Sequence, residues 1–171
     1  MLTVKNNRAT ALQLTDAILS DRNIIPVFDL DGVVIDATHR QAIHADGSLN
    51  LEMYRKLSTA ENIAKDQALP LASVPQYLTE AKIPFFVCTA RVMCSNSRKW
   101  LAKNGINPTA IFSRQGENDR RRDFELKRWH LERSFSSLEL NRSFLLDDNL
   151  ANCEMALSLN MKAIHVPFHG H

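Results

Sequence analysis

The sequence predicts an α/β fold built on a five-stranded parallel sheet flanked by helices. Three observations carry that expectation. Short apolar runs rich in Val, Ile and Phe recur at 24–28, 83–88, 110–112, 143–146 and 161–166, as strands buried on both faces do. Longer helix-like stretches separate them, the rhythm of right-handed βαβ crossovers. Two of the runs end in carboxylates, Asp29-Leu30-Asp31 and Asp147-Asp148. Parallel sheets bind ligands in the crevice beyond such strand tips.

The elements follow in order. Residues 9–20 read as an amphipathic helix, with Ala9, Leu12 and residues 17–19 on one face. The opening strand follows, in the stretch 24–36, as an apolar run that ends in Asp29 and Asp31. Residues 37–57 are polar and mixed, with a turn at Asp46-Gly47-Ser48. Ser58 and Glu61 have the spacing of a capping box for a helix stopping near Pro70. Residues 74–82 form a short helix with Pro75 in its first turn. After the strand at 83–88, a helix at 95–104 closes on Asn104-Gly105. A strand at 110–112 leads to a charged helix over 119–135, with Phe124, Leu131 and Phe135 available to pack. The strand at 143–146, a helix at 150–159 and a strand at 161–166 complete the chain. Trp100 and Trp129 read as core.

At 171 residues the chain fits one domain with a real core, residues 1–171, in which about 37–82 form a small helical cap-like insertion. Hydrophobic residues at 44% and charged residues at 23% exclude the disordered and membrane classes. A net charge of +2 is too even to identify a nucleic-acid partner by itself. Three cysteines without metal-ligand spacing point to a reducing compartment. Lys5, Asn6, Asn7 and Arg8 interrupt any signal-peptide core, and no apolar run approaches the ~18 residues of a membrane span. A cytoplasmic protein with no membrane partner is expected.

The strand ends carry the chemistry. Two Asp at i and i+2 crowd like charges together, and a hard cation such as Mg²⁺ relieves that repulsion. Acidic residues of the first and fourth strands can share the ion. Thr89 and Lys127 can hold the oxygens of an anion bound to that metal. An Asp facing that anion is a candidate nucleophile. Each feature alone has a plainer explanation: a turn, a cap, a solvated lysine, an N-cap at Asp147-Asp148. Their joint order along the chain is what points to a site.

Those residues resemble the four motifs of the haloacid dehalogenase superfamily. The motifs are Phe28-Asp29-Leu30-Asp31-Gly32-Val33, Val87-Cys88-Thr89-Ala90, Lys127, and Leu145-Leu146-Asp147-Asp148. The resemblance implies a Rossmann-like core with a small or minimal cap. It implies a catalytic set of Asp29 as nucleophile, Asp31 as acid and base, and Thr89 and Lys127 on the phosphoryl oxygens. It also implies Mg²⁺ held by Asp29, the Asp31 carbonyl, and one or both of Asp147 and Asp148. Within the superfamily the chain is similar to the 3′-phosphatase domain of bacteriophage polynucleotide kinase. Thr89-Ala90-Arg91, Arg40, Arg98-Lys99-Trp100 and the run from Arg114-Gln115-Gly116 through Arg120-Arg121-Arg122-Asp123 carry that likeness. It makes Arg40, Ala90, Arg91 and Arg122 candidate substrate contacts. It also places the protein in the host cytoplasm if phage-encoded. No glycine is followed by lysine, so these residues encode no kinase P-loop.

The expected activity is a Mg²⁺-dependent phosphatase acting through an aspartyl-phosphate, removing 3′-phosphates from polynucleotide ends. A (deoxy)nucleotide monophosphatase of the 5′-nucleotidase type is the alternative. A non-catalytic phosphate- or nucleic-acid-binding module is disfavoured by the intact nucleophile. Either enzyme would have a phosphorylated nucleic-acid end or a nucleotide as its partner. His39 and His44 are near enough in sequence to touch substrate, and His165, His169 and His171 have the spacing of a weak metal tail.

Overall fold

The computed structural model describes residues 1–42, 50–116 and 118–168. The Asp46-Gly47-Ser48 turn, His44, His169 and His171 lie outside the described residues. The strands are β1 (Leu2–Thr3), β2 (Ile25–Phe28), β3 (Ile35–Asp36), β4 (Gln67–Ala68), β5 (Phe86–Val92), β6 (Ala110–Arg114), β7 (Ser143–Asp147) and β8 (Lys162–His165). The helices are α1 (Arg8–Ser20), α2 (Leu51–Leu57), α3 (Ala60–Ala64), α4 (Ser73–Glu80), α5 (Ser95–Lys103), α6 (Asp123–Ser134), α7 (Ser137–Arg142) and α8 (Leu150–Ser158).

Six strands form one parallel sheet in the order β1-β8-β7-β2-β5-β6. The sixth is β1, which pairs Leu2 with Ile164 and Thr3 with His165 at one edge. Two residues are too few to show a strand period, so this edge is invisible in the sequence. The chain runs outward from β2 to β5 and β6, then returns to β7 on the other side of β2. The crevice of such a sheet opens where the winding reverses, here between β2 and β7. Asp29 and Asp147 flank it.

Successive residues of the central strands alternate between two cores. Phe28, Val87 and Leu146 face the side with α1, α4 and α5, where Leu14, Ile18, Val74, Leu78 and Leu101 are buried. Val27, Cys88 and Leu145 face the side with α6, α7 and α8, where Leu131, Leu140, Met155 and Ala156 are buried. Burial on both faces explains why these strands read as continuous apolar runs.

Several elements differ from the sequence expectation. In α1 the buried stripe is Thr10, Ala11, Leu14 and Ile18, and Leu12 is 67% exposed. The Asn7 side chain caps the helix by accepting from Thr10 N–H. The opening stretch is not one strand. β2 stops at Phe28, and Ile35–Asp36 pairs antiparallel with Gln67–Ala68 in a small second sheet. The polar stretch 37–57 contains α2, capped by Asn50. Thr59, not Ser58, caps α3, which ends at Ala64, well before Pro70. The α4 helix packs on α1, and α3 packs on α5 with Ile63 buried in the same core, so among the described helices of the insertion α2 stands apart. The α6 helix starts at Asp123, because Asp119 is engaged with Arg121 and Arg114. Trp100 is buried, but Trp129 is 37% exposed, with the Arg121 and Arg133 guanidinium groups over its ring. No described helix is long and apolar enough to cross a membrane.

Candidate active site

Each acidic group stands where the backbone leaves the sheet. Asp29 and Asp31 open the turn after β2, which closes as Val34 and Ile35 N–H donate to the Leu30 carbonyl at 2.9 and 2.8 Å. Gly32 lies in that turn at φ +77°, and a Cβ there would overlap the Asp148 carboxylate. Glycine is required both for the left-handed backbone and for this close approach. Thr89 lies inside β5, which runs four residues beyond the predicted strand, to Val92. Thr89 Oγ1 accepts from Arg91 N–H at 3.2 Å, leaving its own O–H free to donate. Ala90 presents its carbonyl to Arg114 Nε at 2.9 Å. Asp147 ends β7, and Asn149 caps α8 directly after it.

Lys127, on the inner face of α6, is 1% exposed and reaches both acidic strand ends. Its Nζ lies 2.5 Å from Asp147 Oδ2 and 2.8 Å from Asp29 Oδ1. The geometry at Asp29 Oδ1 is not that of a hydrogen bond, so this buried oxygen has no donor. Burial works against the Lys127 ammonium, but Asp147 and Asp29 outweigh it and keep the lysine charged. Asp147 is fully used: its other oxygen accepts from Asn152 Nδ2 at 2.8 Å and Asn149 N–H at 3.0 Å. Among the described residues Asp148 has no such side-chain partner. Burial, with the Asp147 charge beside it, pushes its carboxyl up to about 7. Burial likewise raises Asp29 well above the usual carboxylate range; Lys127 opposes that rise, while Asp147, Asp148 and Asp31 add to it.

Asp31 has a different environment. Arg91 grips it through Nη2 on Oδ1 and through Nε on Oδ2 at 3.1 Å. Burial raises this carboxyl, but Arg91, then Arg40 and Lys127, outweigh burial and hold it below its ordinary value. Arg91 Nη1 continues to Asp66 Oδ2 at 3.2 Å. Asp66 in turn binds Arg40 through both oxygens, at 2.8 and 2.9 Å. Arg40 Nη1 donates to Ser58 Oγ at 2.9 Å, and Trp100 Nε1 donates to the Asp66 carbonyl at 3.0 Å. Arg40 is therefore buried in the cavity wall with its donors committed, and is not a free cation awaiting substrate. Arg122 is exposed at the N-terminus of α6, where Glu125 accepts its backbone N–H.

A cavity of about 720 Å³ opens over these groups. Asp29, Asp31, Thr89, Ala90, Arg91 and Lys127 form its floor, while Tyr54, Arg55 and Ser58 of the α2 segment and Ile63 of α3 form one wall. Of the candidate residues, only Arg122 and Asp147 are not among those lining it. His165 lines the cavity with Nε2 3.1 Å from the Asp148 carbonyl, so it belongs to this site and not to a terminal metal tail. His39 lies 2.9 Å from the Asn62 carbonyl, outside the cavity lining.

Asp66, Tyr54 and Asn152 were not anticipated. Asp66 lies in a stretch without a motif, and only the fold shows that two arginines converge on it. Asn152 carries a weak signal, one helical turn beyond the Asp147-Asp148 pair.

Four carboxyl groups, Asp29, Asp31, Asp147 and Asp148, face Lys127 and Arg91; with all four ionised, the excess negative charge would equal that of one divalent cation. Asp29, Asp147 and Asp148 each offer an oxygen within 4.8 Å of the others. The donor-less Asp29 oxygen and the all-oxygen donor set fit a hard cation such as Mg²⁺. Asp31 is outside that cluster through its side chain, which Arg91 occupies.

The family described as bacteriophage T5 5′-deoxynucleotidase matches residues 19–165. A 5′-deoxynucleotidase of Escherichia phage T5 is 31% identical over 86 residues, which are 48% of this chain and 35% of that protein. The match thus spans about a third of that relative's length. A haloacid dehalogenase-like hydrolase from Streptococcus pneumoniae superposes with TM-score 0.61 at 13% identity, covering 85% of each chain. The Pnkp1/Rnl/Hen1 RNA repair complex matches with TM-score 0.54 at 18% identity, over 84% of this chain and 43% of that one. At these identities the structural likeness is one of fold, and the fold is that of the haloacid dehalogenases.

Proposed function

The chain belongs to the bacteriophage T5 5′-deoxynucleotidase family, and from that premise we propose that it hydrolyses deoxynucleoside 5′-monophosphates. The cavity carries this reading. Its roughly 720 Å³ suits a single nucleotide, and α2 and α3 wall it on one side. A polynucleotide 3′-phosphate, the substrate first suggested by sequence resemblance, is the second reading. It is favoured by Arg120 and Arg122, which are exposed just before Asp123 at the cavity edge.

In the first half-reaction an Asp29 oxygen attacks phosphorus and the bond from phosphorus to the sugar oxygen breaks. Asp31 gives its proton to that oxygen, leaving an aspartyl-phosphate and an alcohol. In the second half Asp31 takes a proton from water, whose oxygen attacks phosphorus and frees Asp29 and inorganic phosphate. Lys127 and the Thr89 hydroxyl hold phosphoryl oxygens throughout. In the free site Arg91 keeps Asp31 ionised. An entering phosphate dianion competes for Arg91 and so lets Asp31 carry the proton it must deliver. Asp29, Asp148 and the Asp31 carbonyl would hold Mg²⁺, with Asp147 anchoring Lys127 beside it. The ion would offset the charge of the phosphoryl oxygens. Residues 37–64 would act as a small cap.

A phosphate-release panel tests the assignment. Deoxynucleoside 5′-monophosphates should exceed 3′-phosphorylated oligonucleotides in kcat/KM, and chelation should stop release. The opposite preference would establish the second reading. Adding Mg²⁺ to metal-free protein should raise Tm, by about 2.7 kcal/mol of stability at a hundred times Kd. Gly32→Ala should displace Asp148 and lower kcat by about 10²-fold, the scale set by a small misplacement of a reacting group. Its Mg²⁺ half-saturation should rise in the same assay.

A further inference from the structure

Among the described residues, the insertion contributes one side chain that touches the catalytic carboxylates. Tyr54, on α2, lines the cavity with its hydroxyl 3.4 Å from Asp31 Oδ2. Its placement is held at two points. The Arg40 guanidinium lies over its ring at 4.7 Å, and Ser58 Oγ donates to its backbone carbonyl at 2.7 Å. Arg40 is in turn fixed by Asp66. A buried ion pair thus anchors a phenol from outside the sheet against the acid and base group of the site.

We propose that Tyr54 is a positioning residue for the leaving group, orienting Asp31 Oδ2 toward the sugar oxygen that departs from phosphorus. Of the two Asp31 oxygens, Oδ1 meets Arg91 Nη2, while Oδ2 is shared by Arg91 Nε and the Tyr54 hydroxyl. When Arg91 turns to the phosphate, Tyr54 is the described side chain still holding Asp31. A leaving oxygen must come within hydrogen-bond reach of that same carboxyl, so it also arrives beside the phenol. Burial and the Asp31 charge push the Tyr54 hydroxyl up to about 12, so it remains a donor. The inference rests on the phosphatase reading, but not on which sugar position carries the phosphate.

Leaving-group chemistry separates this role from a structural one. A sugar oxygen leaves as a poor, strongly basic anion and needs the Asp31 proton. p-Nitrophenolate is a stable anion and leaves without it. Tyr54→Phe keeps the ring under Arg40 and removes only the hydroxyl. Its kcat/KM on a deoxynucleoside 5′-monophosphate should fall about five- to tenfold, the scale of one ordinary hydrogen bond. Its kcat/KM on p-nitrophenyl phosphate should stay within about twofold, which also reports an intact fold. Equal losses on both substrates, or a loss on neither, would overturn the proposal. If wild-type enzyme prefers a 3′-phosphorylated oligonucleotide, the 5′-nucleotide reading fails. The same ratio is then read on that substrate, whose leaving group is again a sugar oxygen.

Discussion

Asp29→Asn is expected to abolish turnover, by about 10⁵-fold or more, while leaving the fold intact. Asparagine offers no carboxylate to form the acyl-phosphate, and no other carboxylate can replace it. Asp31 is clasped by Arg91, and Asp147 is spent on Lys127, Asn149 and Asn152. Asp148, half-buried across Gly32, belongs to the metal cluster. The fold should survive because Lys127 keeps Asp147 as a partner at 2.5 Å. The variant also removes a buried carboxyl whose charged form is disfavoured by burial and by Asp147, Asp148 and Asp31. In chelator, its Tm should therefore equal or exceed that of wild type. Phosphate release and thermal melting on the same preparation check both halves. Residual activity above about 1% of wild type would remove Asp29 from the nucleophile's role.

Lys127→Ala should fail in both respects. The ammonium is 1% exposed and is the cation between two strand-end carboxylates. Removing it leaves Asp29 and Asp147 buried and facing each other without compensation. Breaking a buried ion pair from one side costs about 3–5 kcal/mol. The expected result is a large drop in Tm measured without metal, partly restored by Mg²⁺, and a kcat at least about 10²-fold lower with Mg²⁺ present. Lys127→Arg should restore part of the stability but little of the turnover. The guanidinium is too large for a pocket shaped around one nitrogen and cannot reach both carboxylates as a point charge. A Lys127→Ala protein with near-normal Tm and turnover would show that the lysine is only a solvated charge.

The core of the site was legible because its residues sit at element ends, where the sequence changes character abruptly. An apolar run that stops at Asp29-Leu30-Asp31-Gly32, and another that stops at Asp147-Asp148, reveal two strand tips. Right-handed crossovers then place those tips on one edge. The elements around it were less legible. The α2 helix was hidden because Leu51–Leu57 is short and its Asn50 cap lies in a polar stretch. The α6 boundary was misplaced because Asp119 looks like a cap. In the fold it binds Arg121 at 2.6 Å, while Arg114 ties the preceding loop to Asp123. Arg40 and Arg91 looked alike as substrate cations. Their partners separate them: both are buried and held by Asp66, but only Arg91 also reaches Asp31.

The sequence by itself determined the parallel sheet and its two acidic strand ends, and its resemblance to a known family singled out Lys127 and Thr89. The sheet and the acidic ends follow from periodicity and from abrupt changes of polarity, which are local properties of the chain. The tertiary structure alone decided which charges are spent and which are free. Asp66 neutralises Arg40 and shares Arg91, Asp147 saturates itself on Lys127, Asn149 and Asn152, and Asp148 is left close against Gly32. The pairings of the site join residues as distant in sequence as Asp29 and Lys127. A buried charge takes its function from whichever partner reaches it, and no local pattern in the chain encodes that partner.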